Sequence, residues 1–131
     1  MKRLIAFTTT LILSQSVFAT TDHYIRKDGT LVQHLKITRT AHDINVSMDV
    51  DADNKETGHK ACSAEVSGDG KVTGENALSM KKQIEGETRH CLLEIKLSPE
   101  GAKVDQYADC TYFATGDCHF GSDGKELVRV K

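Results

Sequence analysis

The sequence predicts an all-β fold, namely a small, mainly antiparallel β-barrel or β-sandwich meander of about seven to eight strands, stapled by disulfides. Three observations predict it. Apolar and polar residues alternate in short segments that Gly, Asp and Asn separate, which is typical of strands with one buried face. The four cysteines are an even number. Aromatic residues are few and tryptophan is absent, so the core is thin and covalent links would help it.

Apolar and polar residues alternate in several separate segments of the chain. In residues 31–38 the side chains of Leu31, Leu35 and Ile37 share one face, and in residues 90–97 every second residue is apolar. Strands are predicted over residues 31–38, 44–50, 62–66, 77–82, 90–97, 102–107 and 127–130. Turns are predicted over residues 67–70, around 85–86, over 98–101 and over 122–124.

The N-terminus has the order of a secretory signal peptide. Lys2 and Arg3 precede an apolar run over residues 4–18, and Val17 and Ala19 are the small residues that a signal peptidase accepts. We expect cleavage after Ala19, which makes residues 1–19 a signal peptide and residues 20–131 a single exported β domain. The expected location is the periplasm or the outside of the cell. No second apolar run is long enough for membrane insertion after cleavage.

The charge of the processed chain limits its partners. Removal of Lys2 and Arg3 leaves 15 of the 17 basic residues against 19 acidic ones, a net charge of −4. Nucleic acid and anionic lipid need a clustered basic face, which this pattern lacks. We therefore expect no nucleic-acid partner and favour a protein.

The cysteines Cys62, Cys91, Cys110 and Cys118 are expected to form two disulfides in an oxidising compartment. Four cysteines allow three connectivities. We favour Cys62–Cys91 with Cys110–Cys118, because the last two flank one short loop. The alternative is a zinc site that uses His90-Cys91 and Cys118-His119, which the absence of any C-x-x-C pair disfavours.

No motif for catalysis, a cofactor or a metal stands out. The six histidines are scattered without H-x-H or H-x-x-x-H spacing, and no G-x-S-x-G elbow occurs. The acidic run over residues 49–54 begins like a calcium loop, but Asn54 replaces the required glycine and Lys60 replaces the bidentate glutamate. A solvated hairpin loop is the preferred interpretation. We expect a protein that is not an enzyme and has no cofactor.

The most distinctive stretch runs from residue 110 to 121 and concentrates three aromatic residues in and beside an expected disulfide loop. A rigid loop presents large side chains at low entropic cost, as recognition requires. The simpler interpretation is that these aromatics fill the end of a barrel, which we favour for Phe113 and Phe120 and weigh equally with recognition for Tyr112. The candidate partner-binding residues are Tyr112, Phe113, Asp117 and His119.

A resemblance adds to this interpretation. The signal peptide, a mid-chain cysteine before a turn, the strand Cys91-Leu-Leu-Glu-Ile and the C-terminal Cys…Gly…Cys/aromatic…Gly segment resemble small exported bacterial β proteins, some of them associated with lysozyme inhibition. The resemblance implies a non-catalytic binding protein, an inhibitor or immunity factor against a lysozyme or another cell-wall hydrolase. The alternatives are a barrel that carries an apolar or envelope-derived ligand, and a secreted protein without independent activity.

Overall fold

A computed structural model describes residues 19–131 of the chain. The signal peptide predicted over residues 1–19 lies outside the described residues except for Ala19. None of the helices in the described part of the chain is long and apolar enough to cross a membrane.

The described residues form an antiparallel β-barrel, which confirms the predicted fold class. The elements are β1 (Thr20–Asp28), β2 (Leu31–Arg39), β3 (Ile44–Asp53), β4 (Lys60–Gly74), β5 (Ala77–Gln83), β6 (His90–Leu97), β7 (Gly101–Ala108), a 3₁₀ helix (Cys110–Phe113), β8 (Ala114–Thr115) and β9 (Leu127–Arg129). The sheet order is β3-β2-β1-β9-β7-β6-β5-β4, and pairing of β3 with β4 closes eight strands into a barrel. The two-residue strand β8 is added to the outer edge of β4.

Strand β4 bends in order to change its partner. Its first part pairs with β3 as far as Asp69, and from Gly70 it pairs with β5. A Cβ atom at Gly70 would lie 2.8 Å from Ile44 Cγ2 and 2.9 Å from Val46 Cγ2, so only glycine allows this close approach. The turn predicted over residues 67–70 is therefore wrong, because these glycines make a barrel corner within one continuous strand.

Strand β1 was not among the predicted strands. It pairs with β2 along its whole length, from Thr20 opposite Arg39 to Asp28 opposite Leu31. Its inward-facing residues Tyr24 and Arg26 are both buried, although neither is an aliphatic residue. The short strand β9 lies between β1 and β7 and completes the barrel.

Apolar side chains fill the inside of the barrel. Leu35, Met48, Leu93, Val104 and Phe120 are each 0% exposed, so no water-sized space adjoins them. Phe120 belongs to the segment that follows β8, and its side chain is part of the core. The core position that was favoured for it is therefore confirmed. The interior is a packed core, as expected for a barrel of about eight strands.

The two disulfides join Cys62 to Cys118 and Cys91 to Cys110, with Cα–Cα distances of 5.4 and 4.3 Å. The favoured pairing of Cys62 with Cys91 and Cys110 with Cys118 is wrong. The reason is the path of the chain, since Ala108 at the end of β7 lies opposite Cys91 and the following turn brings Cys110 to it. Two disulfides fit an oxidising, extracellular environment.

Candidate functional site

Both disulfides hold the same segment, residues 110–118, which we call the strap. Cys110 fastens its start to β6, and Cys118 fastens its end to β4. Between these anchors, Ala114 and Thr115 pair with Ala64 and Ser63 of β4. The strap lies at the barrel end where β6 begins and β7 ends, and we call this the strap end.

Hydrogen bonds add to the covalent anchors of the strap. The Thr115 hydroxyl donates to the backbone carbonyl of Ser63 over 3.1 Å, and the backbone N–H of Ser63 donates to the Thr115 hydroxyl oxygen over 3.1 Å. Before the strap, the Asp109 N–H donates to the carbonyl of His90 over 3.0 Å. The strap is thus fixed at its two ends and in its middle, so the path of its backbone is held by the barrel.

The strap directs Tyr112 to solvent and Phe113 partly inward. Tyr112 is 60% exposed, whereas Phe113 is half-buried and packs against the core. Their rings meet edge to face with centroids 5.2 Å apart, a favourable arrangement for aromatic pairs. The strap therefore presents one large aromatic side chain, that of Tyr112, to solvent.

An open groove lies on one side of the strap. Its volume is about 620 Å³, and Tyr112 and Phe113 line it together with residues 82–86, which are the end of β5 and the start of the β5–β6 loop. Ile84 at the base of that loop is buried, and its N–H donates to the carbonyl of Arg89 over 2.9 Å. We call this the aromatic groove.

A second open groove, of about 360 Å³, lies on the other side of the strap. We call it the acidic groove. Its lining carries three acidic side chains and one basic one, together with Phe113 and smaller residues: Asp49, Asp51, Lys60, Ser63, Ala64, Glu65, Phe113 and Thr115. Phe113 thus belongs to both grooves, and the two form one surface centred on the strap.

The acidic groove contains one ion pair. Lys60 Nζ lies 3.1 Å from Asp51 Oδ1, and this hydrogen bond and the charge of Asp51 raise the pKa of Lys60. Asp49 and Glu65 lie opposite each other on β3 and β4, where their like charges favour a cation or a basic side chain of a partner. The lining is net negative even with Lys60 protonated.

No protein-family model matches the chain, and searches of characterised proteins and of solved structures found no significant match.

The other two predicted site residues lie apart from both grooves. Asp117 is exposed next to the Cys62–Cys118 disulfide, and His119 Nε2 forms a 3.0 Å contact with Asp123 Oδ2. The carbonyl of His119 accepts a hydrogen bond from the buried side chain of Gln33 over 3.3 Å. The structure therefore brings Tyr112 and Phe113 together, and it leaves Asp117 at the end of the strap, next to the anchor Cys118, and His119 just beyond it.

Sequence reasoning did not identify the groove walls. The end of β5 contributes Lys82 and Gln83, and β3 and β4 contribute carboxylates more than 40 residues before the strap. Alternation placed Asp49 on the outer face of β3, but no sequence signal linked that face to the strap. The link comes from the pairing of β8 with β4.

The zinc interpretation is excluded for the cysteines, since all four form disulfides. Within residues 19–131, no group of three or more His, Cys, Asp or Glu side chains is already arranged to hold a metal ion. The acidic run of residues 49–53 lies within strand β3 rather than in a loop. Two histidines do meet, because His23 Nε2 and His34 Nδ1 are 2.9 Å apart across β1 and β2.

Proposed function

We propose that the protein is an exported, non-catalytic binding module that engages a basic protein partner through the strap and its two grooves. The partner class we propose is a lysozyme or another cell-wall hydrolase, which the module would inhibit. The observation that carries the proposal is the exposure of Tyr112, 60%, on a segment that a disulfide fastens at each end.

The fixed strap supports binding because ordering a loop on association costs free energy. Because a disulfide already fastens each end of the strap, binding does not have to order its backbone. Tyrosine is also among the residue types that dominate binding energy in protein interfaces. Tyr112 is therefore well suited to be the central contact of an interface.

The acidic groove supports the choice of a basic partner. Asp49 and Glu65 lie on the surface beside the strap, and complementary charge accelerates encounter and selects among partners. A hydrolase that acts on an anionic polymer is served by a basic surface, which attracts its substrate and would equally attract an acidic groove. The resemblance to exported proteins associated with lysozyme inhibition points to the same class of partner.

The alternative of a carrier for an apolar ligand has less support. A carrier needs an interior cavity, whereas Met48, Leu93 and Phe120 inside this barrel are 0% exposed. The grooves beside the strap are open to solvent and have more polar than apolar surface, so they do not enclose an apolar molecule.

The test measures binding of the purified, oxidised protein to a panel of lysozymes and cell-wall hydrolases by biolayer interferometry, with inhibition of peptidoglycan hydrolysis as the functional readout. We expect one class to bind, and we expect Tyr112→Ala to weaken that binding at least tenfold because the central aromatic contact is lost. Binding should weaken with added salt, since charge complementarity contributes.

Tyr107→Ala is the matched control, because Tyr107 is 48% exposed on β7 and lines neither groove. It should bind as the unmodified protein does. Glu65→Lys should weaken binding and remove part of its salt dependence. The proposal is contradicted if no hydrolase is bound and inhibited, or if Tyr112→Ala and Tyr107→Ala have equal effects.

A further inference from the structure

The histidines His23 and His34 meet on the outer face of the barrel. His23 lies opposite Lys36 and His34 lies opposite Ile25 in the β1–β2 register, so the two histidines are diagonal neighbours. His23 Nε2 and His34 Nδ1 are 2.9 Å apart, and the ring centroids are 5.1 Å apart. When both rings are neutral, one of these two nitrogens carries the hydrogen and donates it to the lone pair of the other.

A carboxylate lies beside the histidine pair. Asp49 of β3 is directly opposite His34, and directly opposite residues have Cβ atoms about 4.5–5.5 Å apart. His23, His34, Lys36, Ser47 and Asp49 line one open cavity of about 220 Å³. The Asp49 side chain can therefore turn towards the ring of His34 without a change of backbone.

We propose that His23 and His34, assisted by Asp49, bind a transition-metal dication of the class that prefers imidazole, namely zinc, copper(II) or nickel(II). The ion would replace the proton that the two rings share. His23 and His34 line neither groove, whereas Asp49 also lines the acidic groove. The proposal does not rest on hydrolase binding, because metal titration tests it alone.

The distance between the nitrogens agrees with this chemistry. Imidazole nitrogens lie about 2.0–2.1 Å from zinc, so two of them on one tetrahedral ion are about 3.3 Å apart. The pair, now 2.9 Å apart, needs to open by about 0.4 Å, which small side-chain rotations provide. Water and the Asp49 carboxylate would complete the coordination.

Some of the surrounding charges favour a bound cation and one opposes it. Burial, followed by the charges of His34 and Lys36, lowers the pKa of His23, which favours the neutral ring that a metal requires. Lys36 repels a cation, whereas Asp49 and, one strand further, Glu65 attract it. The resulting site is accessible and exchangeable rather than a structural metal centre.

The experiment titrates the purified, oxidised protein with zinc, nickel(II) and copper(II) chloride, one at a time, by isothermal titration calorimetry in a non-chelating buffer at pH 7.5. We expect one ion per chain for at least one of these metals. His23→Gln and His34→Gln should each weaken that binding at least tenfold, and Asp49→Asn should weaken it less. Binding should also weaken at pH 5.5, because protons compete for the imidazoles.

The matched controls are His42→Gln and His59→Gln, since His42 and His59 are exposed loop histidines. Neither should change the affinity, and thermal denaturation without metal should show that all variants are folded. Absence of binding by all three metals would overturn the proposal. So would binding that persists in His23→Gln and His34→Gln, or that is lost equally in the loop variants.

Discussion

Gln33 connects the barrel wall to the C-terminal segment from a fully buried position. Its amide oxygen accepts a hydrogen bond from Arg26 Nη1 over 3.0 Å, and its amide nitrogen donates to the carbonyl of Gly121 over 2.9 Å. Arg26 is itself 9% exposed. A buried polar group that loses its partner bears its full desolvation cost, so each member of this network depends on the others.

We predict that Gln33→Leu destabilises the protein by about 2–4 kcal/mol, because Arg26 and the Gly121 carbonyl lose a buried partner. Urea denaturation of the oxidised protein, followed by circular dichroism, measures the change. Gln106→Leu is a comparison, since half-buried Gln106 accepts one hydrogen bond, from the Phe120 N–H, and should cost less. A change below about 0.5 kcal/mol for Gln33→Leu would contradict the network interpretation.

The histidine pair shows the limit of prediction at the level of residues. His23 and His34 are 11 residues apart, and no local motif joins them. Their contact follows from the register of β1 with β2, and β1 was not predicted. Its inward positions include Asp22 and Arg26, so a search for alternating apolar residues does not find the strand.

Among the elements, the strap can lie close to β4 only because residue 116 is a glycine. Gly116 has a φ of +65°, and a Cβ atom there would lie 2.6 Å from the carbonyl oxygen of Ala61 and 2.8 Å from Cys62 Cβ. The strap thus passes against β4 at the point where the Cys62–Cys118 disulfide fastens it. A side chain at this position would push the strap away from its anchor.

We predict that Gly116→Ala destabilises the protein more than Gly86→Ala does. Both residues have positive φ, but a Cβ atom at Gly86 meets nothing within 4 Å. Gly86→Ala should therefore cost about 1 kcal/mol through backbone strain alone, and Gly116→Ala should cost at least about 1 kcal/mol more. Equal changes in the free energy of unfolding for the two variants would contradict the close contact between the strap and β4.

The elements that were predicted correctly share one property, which is a regular apolar face. β2, β3, β6 and β7 all alternate and were found close to their observed bounds. The continuation of β4 beyond residue 67 was missed because Gly68-Asp69-Gly70 has the composition of a turn, and only contacts with β3 show it to be a corner. Tyr112 and Phe113 were found from their local concentration, whereas the grooves that they line require tertiary contacts.

At the scale of the whole molecule, the two barrel ends are closed differently. At the strap end, both disulfides and the buried side chain of Phe120 hold residues 110–120 against the barrel. At the other end, Asp22 accepts hydrogen bonds from Arg39 over 2.6 Å and from Arg129 over 2.7 Å. Covalent stabilisation is therefore concentrated at the end that carries the proposed binding surface.

This arrangement predicts how removal of each disulfide affects stability. The Cys62–Cys118 bond closes a separation of 56 residues and the Cys91–Cys110 bond one of 19. Loop-closure entropy gives about 4 kcal/mol for the first and about 3 kcal/mol for the second, because a longer loop gains more freedom in the unfolded chain. We expect Cys62→Ala with Cys118→Ala to destabilise the protein more than Cys91→Ala with Cys110→Ala.

Urea denaturation of the two double variants measures the difference, with the oxidised and fully reduced unmodified protein as reference states. Proteolytic fragments of the oxidised protein, identified by mass spectrometry, should link Cys62 to Cys118 and Cys91 to Cys110; fragments linking Cys110 to Cys118 would contradict the observed connectivity. Because both bonds hold the strap, each double variant should also increase amide hydrogen exchange in residues 110–120 more than in β2 and β3. Uniform exchange throughout the barrel would mean that the bonds stabilise the whole fold and leave the strap no more ordered than the rest.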